Sequence, residues 1–321
     1  MVDKFSQAKI KHHYVWASYL RNWSLNERDV YYTTAKGNIA CDSVKGLAME
    51  KDFYKSKRLT KEHLEHVNTF ASLFPEGRQD AHIDILNGCL YVQKIEDIGK
   101  SLGNKEIQEI INTNLSNYLE FLHSYHEDSA LEIIKSLAKG DLTILSDDKR
   151  LSDFSLFLGH QVFRTKKMKA VANTIISNID TTKSRNVSRS INECWWFLSY
   201  MFGINLGLDL FGTRHDDGHC LLINNTSVPF ITSDHPVIDI PLTMREENRL
   251  SGARNVDFYY PISPKIAYMI KAGDRLGSSK VEVTDNEADE MNSNIAKRAN
   301  VHIFGDSESA IKPYRKQLDF G

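Results

Sequence analysis

Two adjacent histidines near the start of the chain, His12 and His13, followed by Tyr14, are the first residues whose types could do chemistry. Imidazole titrates near neutral pH, so such a pair can supply a general acid and a general base. The competing account is a polar lead-in to a helix over 15–22, with Tyr14, Val15 and Tyr19 as packing residues. A second group sits on a long helix that the spacing predicts over 149–179. Advancing about 100° per residue places Phe154, Phe157, Met168, Ile175 and Ile179 on one face, with Gln161 and Arg164 inside it and His160 at its edge. A guanidinium in an apolar stripe needs partners, and arginine's planar fork of donors suits phosphate or carboxylate. A structural arginine paired with a buried acid is the other reading.

A third group, Thr232-Ser233-Asp234-His235-Pro236, follows the strand-like run 229–232. Asp234 there could orient a histidine, bind a cation or simply cap a turn. A fourth, His215-Asp216-Asp217-Gly218-His219, is dense in ligand types, yet its Asp-Asp-Gly centre reads as a hairpin turn between two apolar runs. His63, His66, His82, His123 and His126 fall on amphipathic helices without ligand spacing. Charge is uneven: Arg164, Lys166, Lys167, Lys169, Lys183, Arg185 and Arg189 face a single acid, Asp180, between residues 160 and 189. That stretch suits a polyanion, although a solvated basic face explains it more simply.

These residues need a scaffold. Aromatic and β-branched runs such as 29–34, 220–224, 236–240, 256–262, 265–271 and 301–304 predict strands. Helical spacing predicts helices over 60–71 with Thr60 as N-cap, 79–102, 105–122, 129–138 ending at Gly140, 149–179, 187–211 and 285–299. The expected fold is α+β: a central helical bundle packed on a mostly antiparallel sheet formed by N-terminal and C-terminal segments. Three zones follow, 1–59, 60–211 and 212–321, expected to form one composite domain.

With 41% hydrophobic and 26% charged residues over 321 positions, the chain can bury a substantial core. A formal net charge of −2 gives no global pull toward nucleic acid or acidic membranes. Cys41, Cys89, Cys194 and Cys220 form no CxxC pair, and no apolar leader heads the sequence, so reduced thiols in the cytoplasm are expected. The most apolar run, 194–211, is interrupted by Asn205 and Asp209 and reads as a core helix rather than a membrane span. Walker, GxGxxG, HExxH, GxSxG and deaminase zinc signatures are absent from the sequence.

Taken in order, His12-His13-Tyr14-Val15 with Tyr19-Leu20-Arg21-Asn22, then Gln161-Arg164-Thr165, Thr232-Ser233-Asp234-Pro236, Pro261-Ile262-Ser263-Pro264 and a late Asn292 resemble the bacterial domain-of-unknown-function family 4238. Trp16 stands where that family has proline after Val15, and Lys166 where it has proline after Thr165. The resemblance implies bacterial conflict or phage-defence neighbourhoods, in which toxins and nucleases are common.

The functional expectation is therefore a nuclease acting on RNA in preference to DNA. His12 and His13 would exchange protons, with Tyr14 beside them; Arg164, assisted by Gln161, would stabilise charge on phosphorus, and Asp234 would orient a histidine. Thr165, Lys166, Lys167 and Ser233 would contact substrate. The scheme needs no cofactor; a divalent cation on His12, His13 and Asp234 is its variant. The alternative is a non-catalytic sensor or adaptor that binds a nucleotide, a nucleic acid or a protein partner.

Overall fold

The computed structural model describes residues 8–103, 105–177, 182–241, 256–272 and 280–318. Strand β1 (Lys11–His13) leads into a short helix α1 (Ala17–Leu20), then β2 (Asp29–Thr33), β3 (Ile39–Ser43) and β4 (Met49–Lys51). A helical stretch follows: α2 (Lys61–Ala71), α3 (Glu76–Ser101), α4 (Lys105–Ala138), α5 (Asp148–Phe163), α6 (Lys166–Ser177) and α7 (Thr182–Gly212). The rest alternates: β5 (Asp217–Ile223), β6 (Thr232–Ser233), β7 (Ile238–Pro241), β8 (Val256–Ser263), β9 (Ile266–Ala272), β10 (Lys280–Glu282), α8 (Asp285–Arg298), β11 (Ile303–Gly305) and α9 (Glu308–Ile311). The class is α+β.

The sheet is divided, where a single one was expected. C-terminal strands alone build a five-stranded sheet in the order β10-β5-β9-β8-β7, antiparallel except for the β10–β5 edge. The N-terminal strands β2 and β3 join β11 and β6 in a separate four-stranded sheet, and β1 pairs only with β4. The five-stranded sheet is buried on both faces. Leu221, Tyr260, Ile262, Tyr268 and Ile270 pack with α4, α5 and α1 on one side. Cys220, Leu222, Tyr259, Ala267 and Met269 pack with α8 on the other. Burial on both faces explains why β8 and β9 read as continuous apolar runs rather than alternating ones.

Two helix boundaries differ from expectation. The two helices expected over 105–138 are one, α4, which ends in a Schellman turn. Gly140 adopts φ +79°, its N–H donates to the Leu137 carbonyl at 2.8 Å, and the Asp141 N–H reaches Ser136 at 3.0 Å. The helix expected over 149–179 breaks at Arg164, whose ψ of 1° ends α5. The Thr165 hydroxyl then faces the Met168 N–H at 3.5 Å as α6 begins. Lys166, where the resemblance places proline, is the first residue of α6, a position proline tolerates. Trp16, the other departure, sits at φ −61°, an angle proline would also satisfy. Both departures preserve the backbone.

The α5–α7 crossing has no room for side chains at three positions. A Cβ on Gly159 would lie 2.2 Å from the Gly203 carbonyl oxygen, and one on Gly207 would lie 2.6 Å from the Leu156 Cα. A Cβ on Gly203 would strike His160 Nδ1 at 2.4 Å, so this glycine is what admits the imidazole to the interface.

Candidate active site

His12 and His13 are neighbours on β1 and so point opposite ways. His12 is sealed. Its Nδ1 accepts the Tyr54 N–H at 3.2 Å, which leaves the ring proton on Nε2 to donate to the Lys9 carbonyl at 3.1 Å. The ring lies parallel to Tyr54, with centroids 4.8 Å apart. Burial lowers its pKa. With both nitrogens occupied, His12 is a structural imidazole, which corrects its expected role as an acid or base.

His13 is half-buried. Its Nε2 is itself buried and makes no hydrogen bond, although the nearby Lys45 carbonyl favours the protonated ring. Burial lowers its pKa; Glu120 opposes that shift and Arg164 adds to it. The His13 carbonyl accepts a short hydrogen bond from the Tyr54 hydroxyl. Tyr14 is buried, its phenol pKa raised by burial, with the Lys166 ammonium 5.0 Å from its ring centre.

Arg164 does sit in an apolar face, at 2% exposure, and its partners are all protein. Nη1 donates to Glu127 Oε1 at 2.6 Å. With the Gln161 amide oriented to satisfy both groups, its oxygen accepts from Arg164 Nε at 3.2 Å and Nη2 at 2.8 Å. Burial opposes the guanidinium charge, but Glu127, Tyr54 and Glu120 outweigh it and hold the pKa above its ordinary value. The same burial raises the Glu127 pKa against the pull of Arg164. Arg164 and Gln161 thus form a closed ion-pair network with Glu127, which leaves the guanidinium engaged inside the protein rather than open to the phosphate contact expected of it.

Around this pair gather histidines that sequence reasoning set aside. His126 Nε2 bonds the Tyr200 hydroxyl at 2.9 Å, and the His126 and Tyr200 rings lie 4.4 Å and 4.3 Å from that of His160. His123 lies 5.0 Å from Tyr54 and 5.5 Å from His160. Neither ring nitrogen of His160 has a hydrogen-bond partner. Burial lowers all three pKa values, that of His126 to about 4. One signal could have found them: Glu120, His123 and Glu127 recur on α4 at helical spacing, with His126 beside them.

The third group touches the second only through His235 and Thr165, and its other polar groups are used locally. Asp234 accepts from the Asn300 N–H through Oδ1 at 2.8 Å, and from the Val301 and His302 N–H groups through Oδ2 at 2.9 and 3.1 Å. Burial raises its pKa against those three donors. Asp234 is a clamp on the turn before β11, which corrects the expectation that it orients a histidine. Ser233 is equally committed: its hydroxyl donates to the His235 carbonyl at 2.9 Å and accepts the His235 N–H at 3.1 Å. Thr165, fully buried, bonds His235 Nδ1 at 2.9 Å and the Val162 carbonyl at 2.9 Å, so neither Ser233 nor Thr165 is free to bind substrate. Among the described residues, no group of three His, Cys, Asp or Glu side chains could hold a metal ion, and His12, His13 and Asp234 are not brought together as one.

Of the basic run, Lys166 pairs with Glu50, Lys169 Nζ stands 5.8 Å from the Phe53 ring centre, and Lys167 is half-exposed. Lys166 and Lys169 thus stand beside the β1–β4 ladder that carries His13, whereas Lys167 acts on His235. Arg189 is exposed, while the side chains of Lys183 and Arg185, together with Ile179 and Asp180, lie outside the described residues. The expected hairpin turn at 215–219 is instead the link from α7 into β5, which begins at Asp217. No helix among the described residues is long and apolar enough to cross a membrane.

A family model described as a protein of unknown function, DUF4238, matches residues 11–309. No curated protein and no solved structure matches the chain.

Proposed function

The chain belongs to the DUF4238 family of proteins of unknown function, and we propose that it cleaves phosphodiester bonds, with RNA as the substrate class and His13 as the proton-transfer group. One observation carries this reading. His13 is neutral at physiological pH, and its Nε2, itself shielded from solvent, makes no hydrogen bond within a protein that ties up His12, Gln161, Arg164, Ser233 and Asp234 internally, so the reading requires the covering side chains to part when substrate binds. A neutral imidazole is the form a general base requires.

RNA brings its own nucleophile, so one imidazole can start the reaction. His13 Nε2 removes the proton of a 2′-hydroxyl, and that oxygen attacks the adjacent phosphorus. The bond from phosphorus to the 5′-oxygen breaks, leaving a 2′,3′-cyclic phosphate, and the departing 5′-oxygen takes a proton from water. Lys166, Lys167 and Lys169 hold the substrate backbone electrostatically. Arg164, Gln161 and Glu127 act through His13 by fixing its surroundings. Phage defence is the biological setting that the family resemblance suggests.

The test is cleavage of a labelled RNA by the purified chain. Wild-type protein should release cyclic-phosphate ends, and His13→Ala should cut about 100-fold more slowly or worse while its melting temperature stays near wild type. Equal rates in the two proteins, or an inert wild type, would overturn the assignment.

A further inference from the structure

A cleft lies elsewhere, where the end of α4 and the segment after it meet β5 and β10. It encloses about 460 Å³. Its chemistry is divided. Leu142, Leu145 and Leu151 supply an apolar wall, while Lys139 and Lys280, both exposed, add two positive charges to the lining. The two lysines come from distant parts of the chain and line one cleft because the Schellman turn at Gly140 lies against β10. A Cβ on Gly140 would lie 3.9 Å from Lys280 Nζ.

Beside them are further polar groups. His219 lines the cleft, and its Nδ1 bonds the Tyr268 hydroxyl at 2.6 Å. Burial holds that phenol protonated, and donating to Nδ1 satisfies its hydrogen, which leaves the ring proton of His219 on Nε2, a buried atom near the Arg214 carbonyl rather than a donor to the cleft. Asp141 uses Oδ1 to accept from the Thr143 N–H at 2.9 Å and from its hydroxyl at 2.6 Å. These Thr143 donors, and after them Lys280, hold its carboxyl below the usual range.

We propose that this cleft binds a nucleoside phosphate. The planar base would lie on the leucine wall, the phosphates between the two ammonium groups, and Asp141 would take up sugar hydroxyls or a base amino group. Apolar contact for a flat body, cations for an anionic end and a few placed polar groups are what such ligands require. A simple anion would leave the wall unused, and a purely apolar ligand would leave two lysines stranded. The simpler role for Lys280, as compensation for Asp141 and the carbonyl end of α4, predicts an effect on stability and none on ligand. The site shares no residue with the proposed catalytic one.

Calorimetric titration of the full chain tests this with ATP, GTP, CTP, UTP, adenosine and inorganic pyrophosphate as probes. At least one nucleotide should bind once per chain, with adenosine and pyrophosphate each weaker. Lys139→Ala and Lys280→Ala should each weaken that nucleotide about tenfold, as loss of one charge-assisted hydrogen bond implies, with melting temperatures held. His13→Ala should bind as wild type does, so failure of the catalytic reading would leave this one standing. No binding by any nucleotide, equal affinity for pyrophosphate, or unchanged affinity in both lysine variants would overturn it.

Discussion

Two identical residues, one position apart, have opposite fates because a strand alternates its faces. His12 turns toward Tyr54 and spends both nitrogens; His13 turns to the other side, where Nε2 is left unpaired. If His13 is the base, its ionisation sets the acid limb of the cleavage profile. Burial lowers its pKa, so activity should hold at neutral pH and the acid limb should lie below that of a free imidazole. Glu120 favours the protonated ring, and Glu120→Gln should therefore move the acid limb to lower pH while leaving the plateau rate unchanged. Cleavage of RNA across pH 4.5 to 8 would show this; a limb that stays in place would separate His13 from the measured ionisation. Asp234 gives the contrast. Its removal in Asp234→Ala leaves three half-buried N–H groups without their acceptor, so it should cost roughly 3 kcal/mol of stability, read from denaturant midpoints, without changing turnover per folded molecule.

At the level of elements, the α5–α7 crossing makes a prediction of opposite sign at two glycines. Alanine in place of glycine within a helix gains up to about 1 kcal/mol from propensity. Gly77, near the start of α3, has nothing within 4 Å of its would-be Cβ, so Gly77→Ala should stabilise by a few tenths to about 1 kcal/mol. Gly159→Ala should destabilise by about 2 kcal/mol or more, because 2.2 Å from a backbone carbonyl cannot be relieved by a side-chain rotation. Thermal melts of the two variants decide it. The crossing also shows where sequence reasoning stops. Apolar periodicity made α2, α8 and the long β8 and β9 runs legible, since period and capping are local. The α5–α6 break was hidden because 149–179 stays amphipathic through it, and only the pairing of Arg164 with Glu127 and of Thr165 with His235 ends the helix there. His123 and His126 looked like surface histidines on an amphipathic helix. Their burial depends on α7 lying close enough, through Gly203, for His160 and Tyr200 to reach them.

Over the whole molecule the burial of imidazoles becomes a stability term with a definite pH window. His123, His126, His160 and His235 are all held neutral by burial, with His126 and His235 at about 4. In the unfolded chain each returns to about 6.5. The native state therefore binds fewer protons than the unfolded one, and stability is complete above pH 6.5 and lost progressively as pH falls toward 4. For His126 and His235 the loss at the acid end is roughly 3 kcal/mol each, a large share of the stability of an ordinary domain. The melting temperature should thus fall steeply between pH 6.5 and 4. His160→Leu, which removes two nitrogens that have no partners, should change it little at pH 7.5 and flatten the acid slope. Loss of cleavage through His13 falls in part of the same window, so the two must be told apart. At pH 5.5 and room temperature the fold should still be intact by circular dichroism, and any activity already lost there should return at once on neutralisation. If loss of cleavage instead tracks unfolding in every variant, the pH dependence belongs to the buried cluster alone and gives His13 no catalytic support.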